Sequence, residues 1–139
     1  MMGRILAMDY GLKRTGLAVT DPLKIIATGL TTVDTPQLFN FLKDYVKKEV
    51  VDLFLIGEPK NLDDSDTHIT KQVATVIQRL KKEFPQIPVQ GVDERYTSKM
   101  ASRALVEMGM KKKQRRDKKI IDEIAATIML QEYLQQGTF

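Results

Sequence analysis

Apolar residues come in short runs over the first 34 positions and then at helical spacing over much of the rest. Arg4–Asp9, Gly16–Thr20 and Ile25–Val33 are runs of strand length, separated by glycines and by Asp21-Pro22, and they predict three strands in an antiparallel meander. Thr35-Pro36 reads as an N-cap with proline at the first helical position. Leu38, Phe41, Leu42, Tyr45 and Val46 then repeat on one helical face to about Lys48. Val51–Ile56, apolar except at Asp52, predicts a buried fourth strand that ends at Gly57-Glu58-Pro59. After a polar loop, with Asp64 or Ser65 as cap, Ile69, Val73, Val76, Ile77, Leu80 and Phe84 mark a second helix, stopped by Pro85. Ile87–Val92 is the fifth strand. Thr97 or Ser98 caps a short helix with Ala101, Ala104, Leu105 and Met108 inward, which Gly109 ends. A last helix spans about Lys118 to Leu134.

This order, β-β-β-α-β-α-β-α-α, predicts an α/β fold. The fourth and fifth strands each follow a helix and so run parallel to the first through right-handed crossovers. The result is a mixed five-stranded sheet with helices on both faces. Repeats, low-complexity tracts and linkers are absent, so residues 1–139 read as one domain. Sites in such sheets form beyond the carboxyl ends of the parallel strands. Three acids stand there: Asp9, Glu58 and Glu94.

Asp9 ends a buried strand, where an ionised carboxylate needs a cation, a metal or dense hydrogen bonding. Its plainer role would be to cap the turn of an Asp-x-Gly. Asp122 falls on the side of the last helix that carries Ala126, Met129 and Tyr133, beside the small Ala125, while Glu123 points to the polar side. Asp122 therefore needs a partner, which in the simplest case is a basic side chain. In Asp93-Glu94-Arg95 only one acid can face a given site, and strand alternation does not choose between them. The acid-rich run Glu58–Asp66 lacks the glycine and terminal glutamate of a calcium loop, so Asp63, Asp64 and Asp66 read as a solvated loop and helix start. His68 reads as a surface residue.

Composition narrows the chemistry. With no cysteine and one histidine, disulfides, thiolate zinc sites and multi-histidine sites within one chain are excluded. Any metal here is hard and oxygen-liganded. No apolar run is long enough to span a membrane and Asp9 interrupts any signal-peptide pattern, so the expected location is a reducing cytoplasm. The net charge of +4 is unevenly placed. Residues 99–119 hold nine basic residues (Lys99, Arg103, Lys111, Lys112, Lys113, Arg115, Arg116, Lys118 and Lys119) against two acids, while the remainder is net acidic. A polyanion docking there is expected, without base stacking because no aromatic residue is interleaved. About five phosphate contacts would give a log–log salt slope near −4 to −5.

Four blocks, taken in order, resemble the YqgF/RuvX family of the RNase H-like superfamily over essentially the whole chain. They are Met8-Asp9-Tyr10-Gly11-x-x-Arg14-x-Gly16-x-Ala18-x-x-Asp21, Ile56-Gly57-x-Pro59-x-Asn61, Val92-Asp93-Glu94-Arg95-x-Thr97-Ser98 and Ile121-Asp122-x-Ile124-Ala125-Ala126-x-x-x-Leu130-Gln131. The resemblance implies an RNase H-like sheet of order 3-2-1-4-5, with Asp9, Glu94 and Asp122 as the catalytic, metal-holding carboxylates. It thereby favours Glu94 over Asp93. Where the family usually has an apolar residue this chain has Glu58, and near Asp64 the family's glycine is missing. RuvC-like enzymes keep an acid on the fourth strand, so Glu58 is a candidate fourth ligand, or else an exposed loop glutamate.

The implied activity is a divalent-metal nuclease that processes the 5′ end of precursor 16S ribosomal RNA. A Holliday-junction resolvase-like DNA endonuclease is the alternative, and an RNA-binding ribosome-assembly factor without chemistry is the non-enzymatic one. Two Mg²⁺ or Mn²⁺ ions about 4 Å apart would activate water and neutralise the leaving oxygen, with Asp9 bridging them and Glu94 and Asp122 each holding one. Arg14 and Arg95 would steady phosphate oxygens. Lys111, Lys112, Lys113, Arg115, Arg116, Lys118 and Lys119 would guide a structured RNA or branched DNA to the site. An actin-like ATPase shares Asp-x-Gly but needs a second such loop, which is not present here. The expected assembly is a monomer or weak homodimer.

Overall fold

A computed structural model of the chain describes residues 3–58, 70–93 and 118–135. Five strands form one sheet: β1 (Arg4–Asp9), β2 (Arg14–Thr20), β3 (Ala27–Asp34), β4 (Val51–Glu58) and β5 (Val89–Asp93). Their order is β3-β2-β1-β4-β5. β1, β2 and β3 pair antiparallel, whereas β4 pairs parallel with both β1 and β5. A 3₁₀ turn (Thr35–Gln37) leads into α1 (Leu38–Lys48), followed later by α2 (Thr70–Glu83) and α3 (Lys118–Gln135). Order, direction and mixed character are those expected from the sequence.

The pleat of β1 divides the core. Leu6 and Met8 face one way, onto Leu38, Phe39 and Leu42 of α1 and Val73, Val76 and Leu80 of α2. Ile5 and Ala7 face the other way, onto Ala126, Met129, Leu130 and Tyr133 of α3. Alternate residues of a strand must point to opposite faces, and a strand covered on both sides is apolar throughout. That is why β1 and β4 read as continuous apolar runs. Phe54 of β4 meets Phe84 edge-on, with centroids 5.3 Å apart. Each large aliphatic or aromatic side chain buried this way contributes about 1.5–3 kcal/mol.

Several boundaries differ from the sequence expectation, each for a local reason. β3 begins at Ala27, because the backbone N–H groups of Ile25 and Ile26 both donate to the Asp21 carboxylate at 2.7 and 2.8 Å. That turn leaves the two isoleucine side chains more than 60% exposed. β2 begins at Arg14, since Arg14 and Thr15 already pair with Asp34 and Val33. β5 begins at Val89 because Ile87 N–H turns back to the Phe84 carbonyl at 3.0 Å. Thr35 does not cap the helix with its side chain, and Asp34 occupies the N-cap position of the 3₁₀ turn. Asp52, the polar break in β4, accepts a 2.8 Å ion pair from Lys24. The loop caps at Asp64 or Ser65, the solvated loop of Asp63 and Asp66, the surface placement of His68 and the short helix after Thr97 or Ser98 lie outside the described residues. Among the described residues no helix is long and apolar enough to cross a membrane.

Candidate active site

The site grows from the first strand pair. Asp9 is the last residue of β1 and pairs with Gly16 of β2. Directly opposed residues of an antiparallel pair share a face. Asp9 lies two and four positions beyond Ala7 and Ile5, so the pleat gives it the face covered by α3.

α3 sits directly on this spot. A Cβ placed on Gly16 would fall onto the carbonyl group of Asp122, with the Glu123 backbone nitrogen 2.8 Å away. The close approach therefore requires glycine, and it seats the Asp122 backbone on the residue paired with Asp9. Ala18 on β2 and Ala125 and Ala126 on α3, all buried, continue the close packing. Glu123 does not take the solvent side expected for it. It is only partly exposed, and its side chain lies where a Cβ on Gly29 would be.

Arg14 completes the group. It lies two residues before Gly16 on β2, hence on the same face. Its Nε donates to Asp122 Oδ2 at 3.3 Å, with both side chains about a quarter exposed. Charge-assisted bonds of this kind usually measure about 2.7–2.9 Å, so this is a loose contact. The arginine expected to hold substrate phosphate is here placed on a catalytic-candidate carboxylate, the basic partner that the apolar setting of Asp122 demanded.

The turn between β1 and β2 is tied down from behind. Thr35 Oγ1 donates to the Gly11 carbonyl at 2.6 Å and lies 3.0 Å from the hydroxyl of the fully buried Thr15. Thr35 N–H donates to the Lys13 carbonyl at 2.9 Å. The start of the 3₁₀ turn thus clamps the loop flanked by Asp9 and Arg14. Thr15, Gly29 and Thr35 were not singled out from sequence as site-forming residues. Buried threonines in strands are ordinary there, and only the cross-strand register shows what they touch.

The structure therefore sets the Asp122 backbone over Gly16, the residue paired with Asp9, and Arg14 on the Asp122 carboxylate, across 113 positions of chain. Glu58 ends β4 in register with Asp93 of β5, and Val92 packs on the face that α3 covers. Glu94, Arg95, Lys111, Lys112, Lys113, Arg115 and Arg116 lie outside the described residues, as do the side chains of Glu58, Lys118 and Lys119. Among the described residues no three acids or histidines converge as a metal cluster. Asp9 and Asp122 are carboxylates, the hard oxygen donors that Mg²⁺ and Mn²⁺ prefer, so this pair fits such a cation.

Comparison with known proteins agrees with this architecture. Residues 3–136 match the family described as "RuvX: Holliday junction resolvase". A Christiangramia forsetii protein named "Putative pre-16S rRNA nuclease" is 53% identical over 135 residues, 97% of this chain and 100% of its own length. A Bacteroides thetaiotaomicron protein of the same name is 50% identical over 138 residues, 99% of this chain and 100% of its own. In fold the chain is similar to T. thermophilus RuvC solved with a Holliday junction substrate, with a TM-score of 0.60 and 13% identity over 98% of this chain and 97% of that one. Together with the strand order and the acid-bearing helix seated on Gly16, these matches identify the chain as a member of the RuvX family, with an RNase H-like fold.

Proposed function

We propose that this chain, folded as a single RNase H-like domain over residues 1–139, is a nuclease that hydrolyses phosphodiester bonds in the 5′ processing of precursor 16S ribosomal RNA. The observation that carries the proposal is the seating of Asp122 on Gly16, the residue paired with Asp9. It seats the last motif of the chain against the first, which supports a shared site. The names of the relatives supply the substrate class. The family description and the RuvC-like fold favour a second reading, cleavage of branched DNA at the same site.

Asp9, Asp122 and Glu94 are the carboxylates proposed to hold two Mg²⁺ or Mn²⁺ ions, with Glu58 as an additional candidate. Glu94 follows two residues after Val92, which packs on the Asp9 face. Such ions, when bound, activate water and offset charge on the leaving oxygen. The chain's own residues do the positioning. Strand β1 fixes Asp9, Gly16 fixes the height of Asp122 over the sheet, and the Thr35 clamp fixes the turn between Asp9 and Arg14. Because the Arg14–Asp122 contact is loose, an incoming cation or phosphate can displace it, freeing the guanidinium to bond phosphate oxygens in its fork geometry. Arg95 and the basic residues 111–119 are proposed to hold the rest of the nucleic acid in a cytoplasmic, monomeric or weakly dimeric protein.

The test is cleavage of structured RNA, single-stranded DNA and a four-way junction side by side with Mn²⁺. Asp9→Asn should abolish cleavage while leaving the fold and RNA binding nearly unchanged. Full activity in that variant, or in excess EDTA, would overturn the proposal. Preference for the junction over RNA would select the second reading.

A further inference from the structure

On the sheet face opposite Asp9 and Asp122, a groove of about 390 Å³ opens between the start of α1 and the side of α2. This is the size of a small-molecule site. Phe39 and Val76, both buried, give it apolar lining, Thr35 and Gln72 add polar groups, and Tyr10 stands at one wall. Its outer rim is Lys71, Thr75 and Arg79, spaced four residues apart and so aligned on one side of α2. Both charged residues of the lining are cations, one at each end of that row. Arg79 is pre-positioned, with its guanidinium 3.8 Å over the Phe39 ring and its Nε 2.5 Å from the Glu83 carboxylate behind it. Tyr10 directly follows Asp9, so groove and acids are reached from the same end of β1.

A slot with apolar lining, a tyrosine ring at its wall and cations at its rim matches the chemistry of a nucleotide, a flat base joined to phosphate. A slot of this volume takes one nucleotide, and a base can enter it only when it is out of the duplex stack. We propose that the groove is a subsite for one unpaired nucleotide of the nucleic-acid substrate, on the strand that reaches Asp9. The base would lie against Tyr10 and the apolar lining at Val76, and the flanking phosphates would meet Lys71 and Arg79. The proposal rests on the nuclease reading. It adds a reason for the enzyme to prefer strands with an unpaired residue near the cut, since a base already out of the stack carries no unpairing cost.

The experiment uses the full chain in EDTA and a single-stranded RNA of about eight nucleotides with one internal 2-aminopurine. The 2-aminopurine signal should change on binding, and the same strand in a perfect duplex should give no change. Lys71→Glu, and separately Thr75→Trp to fill the slot from the exposed side of α2, should each weaken binding about tenfold. Lys82→Glu, an equal charge change on an exposed residue outside the groove, should alter it less than about threefold. Unchanged affinity in both groove variants, or a loss in Lys82→Glu equal to that in Lys71→Glu, would overturn the proposal. Equal affinity for free AMP and for the oligonucleotide would do so too, by making the groove a free-nucleotide site. The readout needs no cleavage, so failure of the wild-type protein to cut with Mn²⁺ would refute the nuclease reading separately.

Discussion

Gly16 has no side chain because the Asp122 carbonyl occupies the place a Cβ would take. Gly16→Ala should force α3 away from β2, costing about 1–3 kcal/mol as overpacking does. It should also reduce cleavage more than thermal stability alone would explain, because the displaced element carries Asp122. Thermal unfolding and activity below the transition check both effects. Three carboxylates away from Asp9 and Asp122 contribute to the acid sensitivity of the fold. The hydrogen bond from Lys24 holds the Asp52 carboxyl below the ordinary aspartate range, and the bond from Lys43 does the same for Glu83. The backbone N–H groups of Ile26 and Ile25 lower Asp21. A depressed carboxyl contributes stability that is present above its unfolded pKa and is lost as pH falls through the folded one. The melting temperature should therefore hold steady at neutral pH and fall below about pH 4. Lys24→Gln should lower it at pH 7 and make the acid slope shallower. An unchanged slope would show that the Lys24–Asp52 pair has no part in it.

At the scale of elements, the entry into α1 stabilises the turn between Asp9 and Arg14. The Thr35 hydroxyl and N–H hold the Gly11 and Lys13 carbonyls. Thr35→Val keeps the shape, removes the hydroxyl and leaves the Gly11 carbonyl without that donor. The expected cost is about 1–2 kcal/mol in denaturant unfolding, with a larger fall in kcat than in substrate affinity, since Asp9 and Arg14 flank the loosened turn. α3 acts similarly from the other side. Its N-terminal half lies over β2 and β3 at Gly16 and Gly29, and Tyr133 near its end reaches Gln90 of β5 at 3.2 Å. Asp122 is thus carried by an element anchored across the sheet.

At the scale of the whole molecule, Asp9 and Glu58 are the last residues of neighbouring parallel strands, at the same end of the sheet, while the basic residues of 99–119 concentrate charge in a single stretch of sequence. If those residues contact about five phosphates, log affinity for RNA should fall against log salt with a slope near −4 to −5. Replacing Lys112 and Lys113 with Gln should make that slope shallower by about 2. Titration by fluorescence anisotropy at several salt concentrations measures both, and a slope that does not change would remove these lysines from the interface.

The sequence by itself determined the succession and direction of the strands and the two covered faces of the sheet, because pleat and helix periodicities are local and leave their mark residue by residue. The strand order 3-2-1-4-5 and the choice of Asp9, Glu94 and Asp122 among the acids followed from the family resemblance of the four motifs. Glycine and proline punctuation placed most boundaries within a few positions. Where a single side chain redirected the backbone, hydrophobic pattern had no access: Thr35 reads as a cap and serves as a clamp on the Gly11 carbonyl, and Ile25 and Ile26 read as strand but are held in a turn by the nearby Asp21 carboxylate. Tertiary structure alone decided that Gly16 is the seat of Asp122, that Arg14 contacts a carboxylate and that Glu123 lies on Gly29. These are contacts between segments more than 90 residues apart, set by how closely a helix can approach a sheet, a distance fixed by packing and carried by neither segment alone.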